Sequence, residues 1–255
     1  VSMPLSASGC FSILTLDQSP AEVMEKVKGI CVRSFDKIIG EMNESYNRFS
    51  EVAEPVAKGL PWKTKVMDFA RLYEEACSAH GQRFKAEYER KLEYLSQQMK
   101  DGSINIIESN FALVEFVFDY IGDLAPRVVY GLIPPYYPNV SNLYFTDLAP
   151  EVASLSEQLD AYTTRQYGQH YTREYFYTGI SDLSYTSIKD GAKTLDSLKN
   201  SMPLFGDFYR IPVEAIEKIA MPCMNIGPWG KDFHKLTERV CKEDLYERTP
   251  RIINK

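Results

Sequence analysis

The spacing of hydrophobic residues predicts a long helix near the start of the chain. From Ser19 to about Ala53, hydrophobic residues recur every three to five positions, which is the spacing of one buried helical face. They are Val23, Val27, Ile30, Phe35, Ile38, Ile39 and Met42. Ser19 is a good N-cap, Pro20 suits the first helical position, and Glu22 stands at the capping-box position. We therefore expect a helix that begins at Ser19 and buries one face.

Two more helices are predicted before residue 125. Hydrophobic spacing predicts a helix over 63–100 with a kink at Gly81. Its later part, 84–99, is rich in Glu, Lys and Arg, and these charged residues are expected to form a solvated face. A more apolar helix is predicted over 104–124, ending before Pro126 because proline disfavours helical backbone in the residue before it. Three helices are therefore expected to pack together.

The pattern changes at Pro126, where strands begin to alternate with helices. The run 127–133 is apolar and β-branched and is followed by two prolines, as in a short buried strand. The elements predicted after it are a helix over 151–167, a strand over 171–177, a helix over 211–219, a strand over 221–226 and a last helix over about 237–253. This alternation is typical of an α/β layer with some parallel strand pairing. We therefore predict a helical domain over 1–124 and an α/β domain over 125–255.

Composition and charge narrow the class of protein. Hydrophobic residues make up 44% and charged residues 25% of the 255 residues, as in ordinary globular proteins. The net charge of -6 argues against a nucleic-acid partner, because phosphate binding requires clustered Lys and Arg. No apolar run is long enough to predict a membrane span, so no membrane partner is expected. The five cysteines are scattered without a C-x-x-C pair, which favours a reducing, cytoplasmic location.

Three loops of the second half are candidates for ligand binding, because open α/β sheets bind ligands beyond the carboxyl ends of their strands. The first loop, 134–142, contains three prolines and two tyrosines, and its alternative role is a rigid structural crossover. The second loop, 177–185, offers Ser181 and Asp182 beside a glycine, and its alternative role is a turn or helix cap.

The third loop, 225–234, is the most informative. Gly227 and Pro228 stand near its start, and glycine lets backbone amides approach a substrate closely. His234 ends the loop, and a neutral imidazole nitrogen can bind a metal ion. A single loop histidine is more often a surface or capping residue, which is the alternative here. Among the histidines, His234 is still the first candidate for chemistry.

The other two histidines have weaker surroundings. His80 stands in a charged helical stretch, and His170 has no Cys, Asp or Glu at ligand spacing. The chain contains no H-E-x-x-H, G-x-S-x-G or phosphate-loop motif. No residue of the chain is therefore assigned as catalytic.

The third loop resembles a known family. This loop and the residues after it are similar to the closing motif of dinuclear zinc peptidases and deacylases. The matching features are Gly227 and Pro228 after a short apolar stretch, then His234, and then 238–240 at the start of a predicted helix. This family contains aminoacylase, acetylornithine deacetylase and succinyl-diaminopimelate desuccinylase. The loop at 179–182 is similar to a family loop that carries Gly, Ser or Thr, and Asp toward the substrate pocket.

Three longer segments, 131–138, 180–185 and 228–234, resemble the arginine-utilisation (RocB) branch of this family. The resemblance covers nearly the whole chain. It implies an α/β fold in which a helix-rich, lid-like insertion is followed by the C-terminal part of a zinc-peptidase catalytic domain.

The resemblance also implies an activity. The chain would belong to a zinc-dependent hydrolase that cleaves an amide bond in a small peptide or an N-acyl amino acid during amino-acid catabolism. His234 would be a metal ligand, and Ser181, Asp182, Gly227 and Pro228 would contact the substrate.

The family needs further zinc ligands and a catalytic base, namely a His-x-Asp pair, a bridging Asp and a Glu-Glu pair. We expect these upstream of this chain, which would then be inactive alone. Glu74 and Glu75 are adjacent but stand in a helical stretch, and we interpret them as surface charge.

Two alternatives belong to other classes of protein. In the first, the chain is a non-catalytic binding module whose 134–142 loop holds a peptide or small ligand. In the second, the helical part pairs with a second copy to form a homodimer, since lids in this family often pair.

Overall fold

Helix predominates in the computed structural model, which describes residues 5–53, 59–177, 181–206 and 208–254. The helices are α1 (Pro20–Ser50), α2 (Phe69–Lys100), α3 (Ile106–Phe118), α4 (Pro150–Ala153), α5 (Leu155–Tyr167), α6 (Gly191–Ser201), α7 (Val213–Lys218) and α8 (Thr249–Ile253). The strands are β1 (Val66–Asp68), β2 (Val128–Tyr130), β3 (Gly230–Lys231) and β4 (Arg239–Val240). No helix in these ranges combines the length and the apolar character needed to cross a membrane.

The chain divides into two compact units. Unit 1 consists of Val1–Tyr136 and Asp190–Val213, and unit 2 consists of Tyr137–Lys189 and Glu214–Lys255. Each unit is therefore built from two separate chain segments. The division of the chain into a lid-like part and a catalytic part at residue 124 stays a prediction.

The first helix begins where its sequence predicts. Ser19 caps α1: its hydroxyl accepts a hydrogen bond from the Glu22 amide at 3.3 Å, and the Glu22 carboxylate accepts one from the Ser19 amide at 2.8 Å. This capping box satisfies two amides that the first helical turn leaves without partners. Buried Val23 and Met24 then face the rest of unit 1.

The main hydrophobic core lies between α2 and α3 in unit 1. Leu72, Ala76, Phe84, Leu113 and Val117 are completely buried there. The predicted kink is confirmed, because Gly81 interrupts α2 with φ 55° and ψ -132°. The predicted start of this helix was early: residues 66–68 form β1, and Asp68 caps α2 by accepting from the Arg71 amide at 2.8 Å.

Strands β1 and β2 pair in parallel, with Val66 opposite Val128. The predicted strand at 127–133 is confirmed over its central residues, but its partner precedes α2 and does not come from the predicted α/β domain. Arg127 immediately precedes β2, and only 3% of its side chain is exposed. Its guanidinium pairs with Glu75 at 3.2 Å and with Asp123 at 3.0 Å. Glu75 is 36% exposed, as expected for surface charge, but its carboxylate also neutralises the buried guanidinium of Arg127.

Several predictions for the second half were also wrong. Residues 171–177 and 221–226 are not strands, and 237–241 is not helical, because Arg239 and Val240 form β4. The last helical segment begins later, at residue 242, and contains a π-helical turn at Asp244–Arg248 that leads into α8. Among the described residues of unit 2, the strands are the antiparallel pair β3 and β4. An α/β layer at 125–255 is therefore not confirmed.

Buried hydrophobic side chains are unevenly divided between the units. In the part of unit 2 that the structure describes, Ile216 and Ile252 are the buried Ile, Leu, Val, Met or aromatic residues. The other buried residues of these types belong to unit 1.

Candidate ligand-binding loops of unit 2

The three loops singled out from the sequence contact one another in unit 2. The rings of Tyr137 in the first loop and Tyr185 in the second lie 5.9 Å apart. The rings of Tyr177 in the second loop and Phe233 in the third lie 6.3 Å apart. The first loop therefore touches the second, and the second touches the third.

Asn142 ties the first loop to the segment that leads into the third. Its side-chain amide donates to the Cys223 carbonyl at 2.9 Å, and its Oδ1 accepts from the Cys223 amide at 3.0 Å. Thr186 adds a second tie, because its carbonyl accepts from the Met221 amide at 3.1 Å. Residues 221–223 are thus held by a side chain and a loop carbonyl, which explains why they form no strand ladder.

The second loop places Ser181 at the start of a short helical turn, Asp182–Tyr185. The Ser181 hydroxyl accepts a hydrogen bond from the Leu183 amide at 3.2 Å, which is the helix-cap role considered as the alternative for this loop. Gly179 and Ile180 of the same loop lie outside the described residues. Substrate contact by Ser181 or Asp182 stays a prediction.

The third loop leads into the hairpin formed by β3 and β4. A Cβ on Gly230 would lie 2.9 Å from the Arg239 carbonyl oxygen, so only glycine allows the two strands to approach this closely. The Cys241 amide continues the pairing by donating to the Trp229 carbonyl at 2.8 Å. Gly227, which the sequence pattern favoured, has open space around its Cα. Its contact with substrate, and that of Pro228, stays a prediction.

The hairpin loop is held closed by polar contacts. The Asp232 carboxylate accepts from the Arg239 guanidinium at 2.5 Å and from the Thr237 hydroxyl at 3.1 Å. The Glu238 carboxylate accepts from the His234 amide at 3.1 Å. Asp232 and His234 have positive φ of 57° and 59°, which turn the chain sharply at both residues.

His234 is presented to solvent at this turn. Its side chain is exposed, and its ring lies 5.5 Å from the ring of Phe233. Within the described ranges, no three His, Cys, Asp or Glu side chains are grouped so as to hold a metal ion. A structural or catalytic zinc ion needs three or four protein ligands. These residues therefore do not fit a complete zinc site, although His234 is free of steric cover and could supply one ligand.

A buried carboxylate anchors the base of the hairpin. Asp244 is 3% exposed, and it accepts from the Trp229 amide at 3.3 Å and from the Arg248 guanidinium at 2.9 Å. Burial alone would raise the pKa of Asp244, but the hydrogen bonds from Arg248, the Trp229 amide and Gln169 outweigh it, and the pKa is lowered. Asp244 therefore stays ionised.

Two lysines lie over aromatic rings in or shortly after these loops. The Lys231 ammonium lies 5.4 Å from the centre of the Trp229 ring, and the Lys189 ammonium lies 5.4 Å from that of Tyr144. Trp229 itself is well exposed. The Trp229 ring can contact the apolar part of a ligand, and the Lys231 ammonium beside it can attract an anionic group.

The residues that hold the hairpin together were not predicted from the sequence. Asp232 and Arg239 are seven residues apart, and Gly230 precedes them. This pattern is also typical of a hairpin that an ion pair closes. Asp244 gave no signal, because an acidic residue in a predicted helix is usually at the surface.

Comparisons with known proteins place the chain beside two proteins of Bacillus subtilis (strain 168). No protein-family model matches the chain. No solved structure matches it. The uncharacterized protein YqjN is 25% identical over 256 residues, which cover 100% of this chain and 44% of YqjN. Protein RocB is 23% identical over 264 residues, which cover 99% of this chain and 44% of RocB. The predicted similarity to RocB is confirmed along the chain, which spans less than half the length of either relative.

Proposed function

We propose that this chain forms the lid-like insertion and the C-terminal catalytic segment of a cytoplasmic, zinc-dependent hydrolase. The substrate would be a small peptide or an N-acyl amino acid, cleaved at its amide bond in arginine or other amino-acid catabolism. The motif resemblance of the third loop and the similarity to RocB along the chain support this proposal. Because the matched region covers 44% of RocB, the proposal assigns the remaining zinc ligands and the catalytic base to polypeptide outside this sequence.

The convergence of the three loops carries the proposal. The contacts between Tyr137 and Tyr185 and between Tyr177 and Phe233 bring together segments that are far apart in sequence. His234 lies beside Phe233 with its side chain exposed. An exposed imidazole on a closed hairpin can meet ligands that an adjoining polypeptide supplies, which a buried one could not do.

The proposal gives the other predicted residues a role in substrate binding. Ser181, Asp182, Gly227 and Pro228 belong to two of the three converging loops. Gly227 has open space around it, so a substrate could approach its backbone. No step of the reaction is assigned to a residue of this chain.

Zinc content tests the ligand assignment. The isolated chain should hold much less than one zinc ion per molecule after dialysis, because His234 alone cannot retain the metal. Stoichiometric zinc that is lost in His234→Ala would contradict the proposal, since the chain would then contain a complete site.

A chimera tests the activity. This chain replaces the matched region of RocB, and zinc content and hydrolysis of a panel of N-acyl amino acids are measured. His234→Ala should remove zinc and lower hydrolysis by roughly 100-fold or more. His170→Ala is the matched control, because it removes another exposed histidine. Unchanged zinc and hydrolysis in His234→Ala would refute the role of His234.

A non-catalytic ligand-binding module is the second candidate. The exposed aromatic rings of Tyr177, Trp229 and Phe233 favour it, because exposed aromatic side chains often mark binding surfaces. Under this alternative, the chimera would bind a peptide or N-acyl amino acid without hydrolysing it. Replacing Trp229 and Phe233 with alanine would then remove binding.

A further inference from the structure

Trp229 presents a large aromatic ring to solvent from a fixed backbone. The residue is 62% exposed. Its amide donates to the Asp244 carboxylate at 3.3 Å, and its carbonyl accepts from the Cys241 amide at 2.8 Å. Tryptophan is highly buried on average, because its ring is large and apolar. An exposed ring on a main chain that is held at both its amide and its carbonyl therefore indicates a contact surface.

Lys231 lies on the same face of the hairpin as Trp229. Alternate residues of a strand point to the same side, and the Lys231 ammonium lies 5.4 Å from the centre of the Trp229 ring. The ammonium covers only part of the ring, since most of Trp229 stays exposed. Within the described ranges of the chain, no carboxylate forms an ion pair with Lys231. Its charge is therefore available to a ligand.

A second cation stands directly opposite Lys231. Arg239 is its partner across the antiparallel strands. Like charges that face each other on neighbouring strands repel and lower the stability of the pair. Asp232 accepts a hydrogen bond from Arg239 at 2.5 Å and so compensates the guanidinium. The ammonium of Lys231 is left uncompensated beside an exposed ring, although this arrangement lowers the stability of the hairpin. Such an unfavourable placement is typical of a residue that serves binding.

We propose that Trp229 and Lys231 form a recognition site for a carboxylate that is attached to an aromatic or other flat apolar group. The indole ring contacts the flat group, and the ammonium pairs with the carboxylate. Lys231 stands three residues before His234 in the same hairpin. The site therefore selects N-acyl aromatic amino acids as substrates, and this identification of the ligand as a substrate rests on the proposed function.

Titration of the full chain, followed by NMR of isotope-labelled tryptophan, tests the site. The chain contains two tryptophans, Trp62 and Trp229, so Trp229→Phe assigns both indole signals. N-Acetylphenylalanine should shift the Trp229 signal and leave the Trp62 signal in place. N-Acetylphenylalaninamide lacks the carboxylate and N-acetylalanine lacks the ring. Each should bind at least about threefold more weakly than N-acetylphenylalanine.

Variants of Lys231 separate recognition of charge from a structural role. Lys231→Gln should weaken the binding of N-acetylphenylalanine by about threefold to fivefold and leave that of its amide unchanged, because only the carboxylate loses a partner. Lys231→Arg should keep the preference for the carboxylate, because the positive charge remains. Lys218→Gln is the control, since it changes the net charge equally at an exposed position of α7 outside the hairpin.

Each outcome decides the proposal. An unmoved Trp229 signal, or equal affinities for N-acetylphenylalanine and its amide, would overturn it. Equal weakening of both ligands by Lys231→Gln would also overturn it, since Lys231 would then only support the hairpin. The titration requires neither zinc nor hydrolysis, so its failure would leave the hydrolase proposal standing. Failure of the zinc and hydrolysis tests would instead leave the recognition site standing and remove only the identification of its ligand as a substrate.

Discussion

Arg239 and Asp232 close the hairpin of unit 2 through a contact of 2.5 Å between guanidinium and carboxylate. The contact spans the loop that carries His234. Both side chains are partly exposed, so the pair holds the loop in place more than it stabilises the whole fold.

Asp232→Asn tests the role of this ion pair. Asparagine tolerates the positive φ of Asp232, so the substitution removes the charge without straining the backbone. We expect global stability to fall by no more than about 1 kcal/mol, because surface ion pairs contribute little. Hydrogen exchange of the Cys241 amide should accelerate, since the hairpin would open more often. An unchanged exchange rate would mean that the ion pair does not hold the hairpin closed.

Gly230→Ala should disrupt the hairpin more strongly. The added Cβ would lie 2.9 Å from the Arg239 carbonyl oxygen, so the strands must separate. We expect a loss of about 1–3 kcal/mol in the free energy of unfolding, measured by urea denaturation. Gly227→Ala is the control, because a Cβ there meets open space and should change stability by less than about 0.5 kcal/mol. Equal effects of the two substitutions would contradict the close approach at Gly230.

Asn142 should be more important than its exposed position suggests. Asn142→Ala removes both hydrogen bonds to Cys223 and should lower the free energy of unfolding by about 1–2 kcal/mol. Asn142→Asp should be at least as harmful, because its carboxylate would face the Cys223 carbonyl in place of a donor. Exposed Asn225 provides the control substitution to alanine. If Asn142→Asp were as stable as the original chain in urea, the two-point contact would be refuted.

Asp244 predicts a specific dependence of stability on pH. Its pKa is lower in the folded chain than in the unfolded chain, so protonation favours unfolding. The stabilisation is fully present above the unfolded Asp pKa of about 4 and is lost as the pH falls through the lower folded value. Asp244→Asn should therefore lose less stability than the original chain between about pH 5 and about pH 3. Parallel stability curves for the two proteins would show that Asp244 does not contribute in this way.

The positions of the helices were largely predictable because their signals are local. The predicted burial of one face along all of α1 was wrong, since Ile30, Ile38 and Met42 are exposed. Ser19, Pro20 and Glu22 specify the start of α1 within four consecutive residues, and the capping box forms as expected. Gly81 likewise marks the kink of α2 without help from distant residues. Hydrophobic spacing and capping residues were therefore enough to predict a helix wherever local sequence determines its ends.

The candidate site was less predictable because distant side chains decide its backbone. Asn142 and Cys223 are 81 residues apart in sequence and are hydrogen-bonded to each other. The apolar run 221–226, which was predicted to be a strand, is therefore a loop held by this contact. Glu238 and Arg239 have high intrinsic helix propensity. Arg239 is nevertheless in a strand, because β4 pairs with β3 and Arg239 lies opposite Lys231. Hydrophobic periodicity contains no information about either contact. The three loops that meet were singled out from the sequence, although the strands predicted before two of them do not form.

The uneven division of buried hydrophobic side chains between the two units also affects how the chain comes apart. Burial of apolar surface supplies most of the resistance to unfolding, and unit 1 holds most of it. Rising denaturant should therefore melt unit 2 first and leave the core of α2 and α3 intact, giving two transitions in place of one cooperative step. Brief digestion by a protease under native conditions should cut within unit 2 and release a resistant helical fragment from unit 1.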